Sequence, residues 1–111
     1  MSFFQEVAAA IQRRQTAVRD TYGRPVHQAI NCGTVSVLAL EQNPQRANAL
    51  FVNDSGSTIY LSLGYPAVLN TGIRVSSNGG FFEINALNMW RGQVYAITSI
   101  ASQLLLVTEM T

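Results

Sequence analysis

Short runs of β-forming residues, interrupted by turn signals, are the feature that most constrains how this chain can fold. The runs recur about every 8 to 12 residues, which is the spacing of antiparallel sandwiches and barrels. Between them stand Asn-Pro, Asn-Asp-Ser-Gly and Ser-Ser-Asn-Gly-Gly sequences, which are typical of turns. We predict an all-β fold of six or seven antiparallel strands, for which a jelly-roll-like sandwich or barrel is a natural solution. The runs lie at 34–40, 49–52, 58–63, 72–75, 81–84, 93–98 and 103–108, with 26–30 as a further candidate.

The first 25 residues follow a different pattern. Ser2 and Gln5 have the spacing of a helix capping box, and a Gly-Arg-Pro sequence ends the segment. Between these points, apolar residues recur at about the helical period, at Phe4, Val7, Ala8, Ile11, Val18 and Tyr22. We therefore predict an N-terminal arm at 1–25, helical or extended, followed by a β domain at 26–111.

Size and composition limit the class of protein. A chain of 111 residues buries about two thirds of its unfolded surface, which suffices for one core without disulfides. Because 48% of the residues are hydrophobic and 12% are charged, a globally disordered chain is excluded. No apolar run approaches the roughly 18 residues of a membrane-spanning helix. The N-terminus also lacks the basic and apolar regions of a signal peptide.

The polar residues indicate a chain that works in an assembly. All seven basic residues are arginine, and uncharged Asn, Gln, Ser and Thr are abundant. Arginine is enriched in protein interfaces and lysine is depleted there, although a compositional bias of the lineage would give the same pattern. The arm carries Arg13, Arg14, Arg19 and Arg24. We rank a protein partner first for them, a solvated surface second and nucleic acid third, since the net charge is only +1.

The groups that most catalysis and metal binding require are scarce. His27 is the only histidine and Cys32 the only cysteine, so two-histidine sites and internal disulfides are excluded. Their odd separation places them on opposite faces of a regular strand, which disfavours a Cys–His nucleophile. Asp54 begins a sequence like a calcium loop, but the later acidic ligands are missing and a turn is the better interpretation. We predict no enzyme activity, no cofactor and no metal site.

Several aromatic residues are candidates for contacts. Phe3 and Phe4 at the chain end need either a partner or a seat on their own domain. Phe81 and Phe82 are adjacent in a strand run, so one faces the core and the other faces outward. Trp90 lies outside the cleanest runs and could be a core plug, an interface anchor or a sugar platform, with the last the least common.

Five segments of the β region resemble small structural proteins of tailed bacteriophages. They are Asn43-Pro-Gln-Arg-Ala-Asn-Ala-Leu-Phe-Val-Asn-Asp-Ser, Ile59-Tyr-Leu-Ser-Leu-Gly, Gly72-Ile-Arg-Val, Val94-Tyr-Ala-Ile and Leu-Leu-Val-Thr-Glu109. Together they span roughly residues 43 to 109. Length and class also resemble the capsid decoration, or staple, proteins of epsilon-fifteen-type podoviruses. The resemblance carries no motif that assigns binding residues.

That resemblance implies a jelly-roll domain on the outer surface of an icosahedral virion, assembled in the host cytoplasm. Pairs of copies would sit across two-fold axes and join neighbouring major capsid subunits, stabilising the shell against internal DNA pressure. We expect the major capsid protein and a second copy as partners, without nucleic acid or membrane. Phe3, Phe4, Arg13, Arg14, Arg19 and Trp90 are the interface candidates. The alternative is a phage tail or receptor-binding accessory protein that contacts a host glycan.

Overall fold

The computed structural model describes residues 25–111, and these residues form eight β-strands without a helix. No helix in this range is therefore available to cross a membrane. The helical pattern predicted in the arm, up to residue 24, lies outside the described residues. The strands are β1 (Val26–Cys32), β2 (Val37–Leu40), β3 (Asn48–Asn53), β4 (Ile59–Leu63), β5 (Ile73–Val75), β6 (Phe81–Ile84), β7 (Val94–Thr98) and β8 (Gln103–Met110).

The strands form two four-stranded antiparallel sheets with the connectivity of a jelly roll. Sheet A has the order β1-β8-β3-β6, and sheet B has the order β2-β7-β4-β5. The pairs β1 with β8, β2 with β7, β3 with β6 and β4 with β5 are those of one long hairpin folded at its middle. Pairing of β3 with β8 and of β4 with β7 rolls this hairpin into a sandwich. The predicted jelly-roll-like all-β fold is confirmed, as a sandwich.

The core lies between the sheets and follows from strict alternation along the strands. In β3, Ala49, Phe51 and Asn53 face inward and are buried. Phe51 meets Phe82 of β6, with ring centroids 6.2 Å apart. Phe81, its neighbour in sequence, faces outward, so the predicted division of this pair is correct. Truncating a fully buried phenylalanine to alanine typically costs about 3–5 kcal/mol, and Phe51 is such a residue.

Several strand bounds differ from the sequence prediction. The run 34–40 begins in the connection between β1 and β2, and only its second half, Val37–Leu40, pairs with β7. The candidate at 26–30 is a full strand, β1, because it has an unbroken seven-residue register with β8. Both differences arise because the bounds of a strand depend on which residues pair with a neighbouring strand. The sequence of a single run does not reveal that pairing.

One turn is held by a buried amide. The side chain of Asn53 donates to the carbonyl oxygens of Ser57 and Val75, at 2.7 and 3.0 Å, and accepts a hydrogen bond from the Ser55 hydroxyl. These bonds brace the β3–β4 turn, which runs from sheet A to sheet B, and tie Asn53 of β3 to β5 of sheet B. Gly79 has φ of +98°, a conformation that costs glycine little, and donates its backbone N–H to the Asn53 carbonyl. The two sheets are thereby fastened at this end of the sandwich.

Candidate interaction surface

The outer face of sheet A carries an apolar row that crosses all four strands. Ala29 of β1 lies opposite Leu106 of β8, Leu106 opposite Val52 of β3, and Val52 opposite Phe81 of β6. Because residues paired in this way share one face of the sheet, the four side chains form a continuous line. We call these four residues the outer row.

The outer row is accessible to solvent. Phe81 has 67% of its surface exposed, Leu106 has 37%, and Ala29 is also exposed. Leu104 on the same face of β8 is 38% exposed. An antiparallel sheet with one solvated face normally presents polar residues there. Contiguous apolar residues at such positions mark contact surfaces more often than isolated ones do.

Polar groups border the outer row on one side. His27, Thr108, Leu50 and Glu83 form the adjacent row across the same strands. His27 Nδ1 and the Thr108 hydroxyl oxygen are 2.9 Å apart, and the Asn48 amide donates to Glu83 at 3.0 Å. An apolar centre with a hydrogen-bonding rim is the usual composition of a protein-binding patch.

The outer face of sheet B is partly covered by the chain itself. The β4–β5 loop, residues 64–72, leaves β4 and reaches the start of β2, where the Ala67 N–H donates to the Ser36 hydroxyl at 2.7 Å. On its return, Asn70 accepts a hydrogen bond from the Tyr60 hydroxyl at 3.0 Å. The loop therefore passes over β7, and Ile97, an outward residue of β7, is only 9% exposed.

A buried arginine joins the two sheets at the opposite end from Asn53. Arg46 is 0% exposed, and its Nε donates to the Glu109 carboxylate at 2.6 Å. Its remaining nitrogens donate to the carbonyl oxygens of Trp90, Gly92 and Glu41, at 2.6 to 3.1 Å. Arg46 precedes β3, Trp90 and Gly92 precede β7, and Glu41 follows β2, while Glu109 lies in β8. We call this cluster the Arg46 node.

The Arg46 node is a structural group. Every buried side-chain nitrogen and oxygen among residues 25–111 has a hydrogen-bond partner, so no polar group of the node is left for a ligand. A guanidinium at the centre of this network satisfies several carbonyl groups at once, which its forked donors allow. Sequence reasoning did not find it, since residues 46 and 109 are 63 positions apart.

Trp90 is half-buried and packs against the core. Its indole N–H donates to the Gln93 carbonyl at 3.0 Å. The ring also lies against Gly64 and Gly92, because a Cβ at either position would stand 3.1 or 2.5 Å from ring carbons. The ring thus fills space between the β4–β5 and β6–β7 connections, as a core plug would. Its role in an interface stays a prediction.

The other five predicted interface residues lie outside the described part of the chain. They are Phe3, Phe4, Arg13, Arg14 and Arg19. Sequence reasoning in turn missed the outer row as a unit. The signal was present in the leucines at 104 and 106 and in Val52, which hold outward positions once the alternation is fixed by Leu105 and Phe51.

His27 and Cys32 lie on opposite faces of β1, as their spacing predicts. Burial raises the pKa of the Cys32 thiol to about 11, so the thiol is protonated at neutral pH. The thiol lies 3.8 Å from the Ile30 carbonyl oxygen. Within residues 25–111, no three His, Cys, Asp or Glu side chains are grouped to hold a metal ion.

Comparison of the chain with family models, with curated proteins and with solved structures finds no match.

Proposed function

We propose that this protein is a virion structural protein that decorates the outer surface of an icosahedral phage capsid and joins neighbouring major capsid subunits. The outer row of sheet A is the observation that carries the proposal. It supplies an apolar contact surface on a sandwich whose other outer face is already partly covered by a loop. The partners are the major capsid protein and a second copy of this chain.

The outer row suits contact with a folded protein. Its side chains stand on hydrogen-bonded strands and do not have to be ordered when a partner arrives, so binding costs little conformational entropy. Phe81, the most exposed member, is an aromatic residue of the kind that often anchors interfaces.

Hydrogen bonds at both ends of the sandwich favour a role in which the domain resists mechanical force. The Arg46 node and the Asn53 turn each connect sheet A to sheet B through side-chain hydrogen bonds. A clamp that holds two capsid subunits transmits force between its own sheets, and these links resist their separation. Residues 25–111 carry three arginines and four acidic residues, so their net charge is close to zero. This agrees with a contact in which charge attraction plays a small part.

Capsid binding tests the proposal directly. Purified protein is added to phage capsids that lack it, and bound copies are counted by quantitative mass spectrometry against the major capsid protein. We expect saturation at a fixed ratio of copies to capsid subunits. A copy number that matches a tail or portal component, or no binding at all, would contradict the decoration role.

A matched pair of variants then locates the contact. Phe81→Ser removes the exposed ring from the outer row, and Val68→Ser makes a similar change on the loop that covers sheet B, where Val68 is 61% exposed. Losing a buried phenylalanine contact of about 1.5–3 kcal/mol weakens capsid affinity by roughly 10- to 100-fold. We expect this for Phe81→Ser and unchanged affinity for Val68→Ser. Equal affinities would remove the outer row from the interface.

A further inference from the structure

The four edge strands of the sandwich differ in how well they are protected against pairing. An exposed edge offers free N–H and C=O groups to another strand, and proteins usually shorten, charge or bend such edges. In sheet B, β2 has four residues with a register shift between Leu38 and Leu40, and β5 has three residues with Arg74 at its centre. In sheet A, β6 has four residues and carries Glu83.

The remaining edge, β1, has none of these protections. It has seven residues, Val-His-Gln-Ala-Ile-Asn-Cys, without an acidic or basic residue other than His27 and without proline or glycine. Its register with β8 is unbroken from Val26 to Cys32. Residues 26–29 are exposed on both faces of the strand, and no described strand pairs with the other side of β1.

The sequence of β1 is complementary to itself in the antiparallel direction. When two copies meet about a two-fold axis at Ala29, Ala29 lies opposite Ala29 of the second copy. His27 then lies opposite Asn31, Gln28 opposite Ile30, and Val26 opposite Cys32, so all seven residues are used. No pair places like charges together, and polar residues on the outer face meet polar residues.

The same register extends the outer row. Ala29 is the last member of the row on the β1 side, so the row of one copy continues through its Ala29 into the row of the second copy. A single-residue shift would turn each side chain of one copy to the opposite face from its neighbours. The apolar continuity therefore favours this register among the possible ones.

We infer that β1 binds β1 of a second copy, antiparallel and centred on Ala29, to give a continuous eight-stranded sheet with one uninterrupted apolar row. A two-fold contact of this kind is closed, since each edge is used once and the assembly stops at two chains. The inference deepens the proposed function, which names a second copy as a partner, by identifying the strand that makes the contact, and it does not require the capsid.

Charge at the central pair tests the inference with the full chain. Ala29→Glu and Ala29→Lys each place two like charges opposite one another, and because Ala29 is exposed, neither should disturb the fold. Native mass spectrometry should give a wild-type mass of twice 12.1 kDa and single-chain masses for each variant alone. Mixing the two variants pairs Glu with Lys and should restore a dimer that contains one of each.

Matched controls and a second variant keep the result decisive. Leu87→Glu and Leu87→Lys introduce the same charges at a residue that is 98% exposed and far from β1 in the sheet order, and they should remain dimeric. Ala29→Cys should form a disulfide between copies on mild oxidation, whereas Asn31→Cys, which faces His27, should not.

A monomeric wild type, dimeric Ala29 variants or a mixture that stays monomeric would overturn the inference. So would equal cross-linking of Ala29→Cys and Asn31→Cys. Because Phe81→Ser leaves β1 intact, a failure of capsid binding and a failure of β1 pairing give different results in the two experiments.

Discussion

The two outer faces of the sandwich differ in how far their apolar residues are shielded from solvent. Both sheets are built from alternating strands, and both carry apolar residues at outward positions. On sheet B the β4–β5 loop passes over part of the face, held by hydrogen bonds to Ser36 and Tyr60, and Ile97 on that face is 9% exposed. On sheet A the described chain provides no such cover, and Phe81 and Leu106 remain exposed. An apolar face with its own cover contributes to folding, whereas one without a cover is available for association.

The two sheets are held together by their shared core and, at one end, by the Arg46 node. Arg46→Ala would leave Glu109 and three carbonyl groups without their donor in a partly buried setting. Removing one partner of a buried ion pair typically costs about 3–5 kcal/mol. We expect a loss of that size in the free energy of unfolding, measured by urea denaturation.

Arg74→Ala is the control for the Arg46 substitution. Arg74 is exposed on β5, and its removal should change stability by less than about 0.5 kcal/mol. If both variants lost the same free energy of unfolding, the hydrogen bonds of the Arg46 node would not contribute to holding the two sheets together.

The two faces of β1 also differ in exposure, since Cys32 is buried and His27 is exposed. The pH dependence of the free energy of unfolding tests the burial of Cys32. Cys32 faces the core, and its burial raises the thiol pKa from 9.0 to about 11. Between these values the unfolded state releases the thiol proton and the folded state keeps it, so stability falls as pH rises. From the two pKa values, the loss due to Cys32 is about 1 kcal/mol at pH 10 relative to pH 8.

The measurement is the difference in unfolding free energy between wild type and Cys32→Ala, followed from pH 8 to pH 10. All other side chains are common to the two proteins, so their contributions cancel in this difference. The gap between the two proteins should shift by the stated amount in favour of the variant as pH rises. A gap that stays constant would mean that Cys32 is as accessible to solvent in the folded state as in the unfolded one.

Sequence reasoning reached the fold but not the difference between its faces. The strands can be recognised from the local alternation of apolar and polar residues. Once Phe82 faces inward, its neighbour Phe81 in the same strand must face outward. The cover of sheet B depends on a hydrogen bond between Ser36 and Ala67, which are 31 positions apart. The Arg46 node likewise depends on a residue 63 positions away. Such contacts are set by strand order, and no local pattern encodes them.

One substitution for each sheet tests the difference between the two outer faces most directly, although the expected changes in unfolding free energy are the smallest. Ser36→Ala removes the acceptor of the Ala67 N–H under the loop, and loss of such a partly buried hydrogen bond costs about 1 kcal/mol. Phe81→Ser removes a larger side chain, yet Phe81 is 67% exposed in the single chain. Its removal should therefore change the unfolding free energy of the single chain by less than about 0.5 kcal/mol.

The two values are compared by urea denaturation in the Ala29→Glu background, in which we expect single chains. Phe81→Ser should then lower the free energy of unfolding less than Ser36→Ala does. The reason is that the Ser36 hydroxyl holds a loop onto its own chain, whereas the Phe81 ring is mostly exposed. If Phe81→Ser were instead the more destabilising change, sheet A would have a cover of its own in the single chain. Its outer row would then be part of the folded core, and a partner would have to displace that cover before binding.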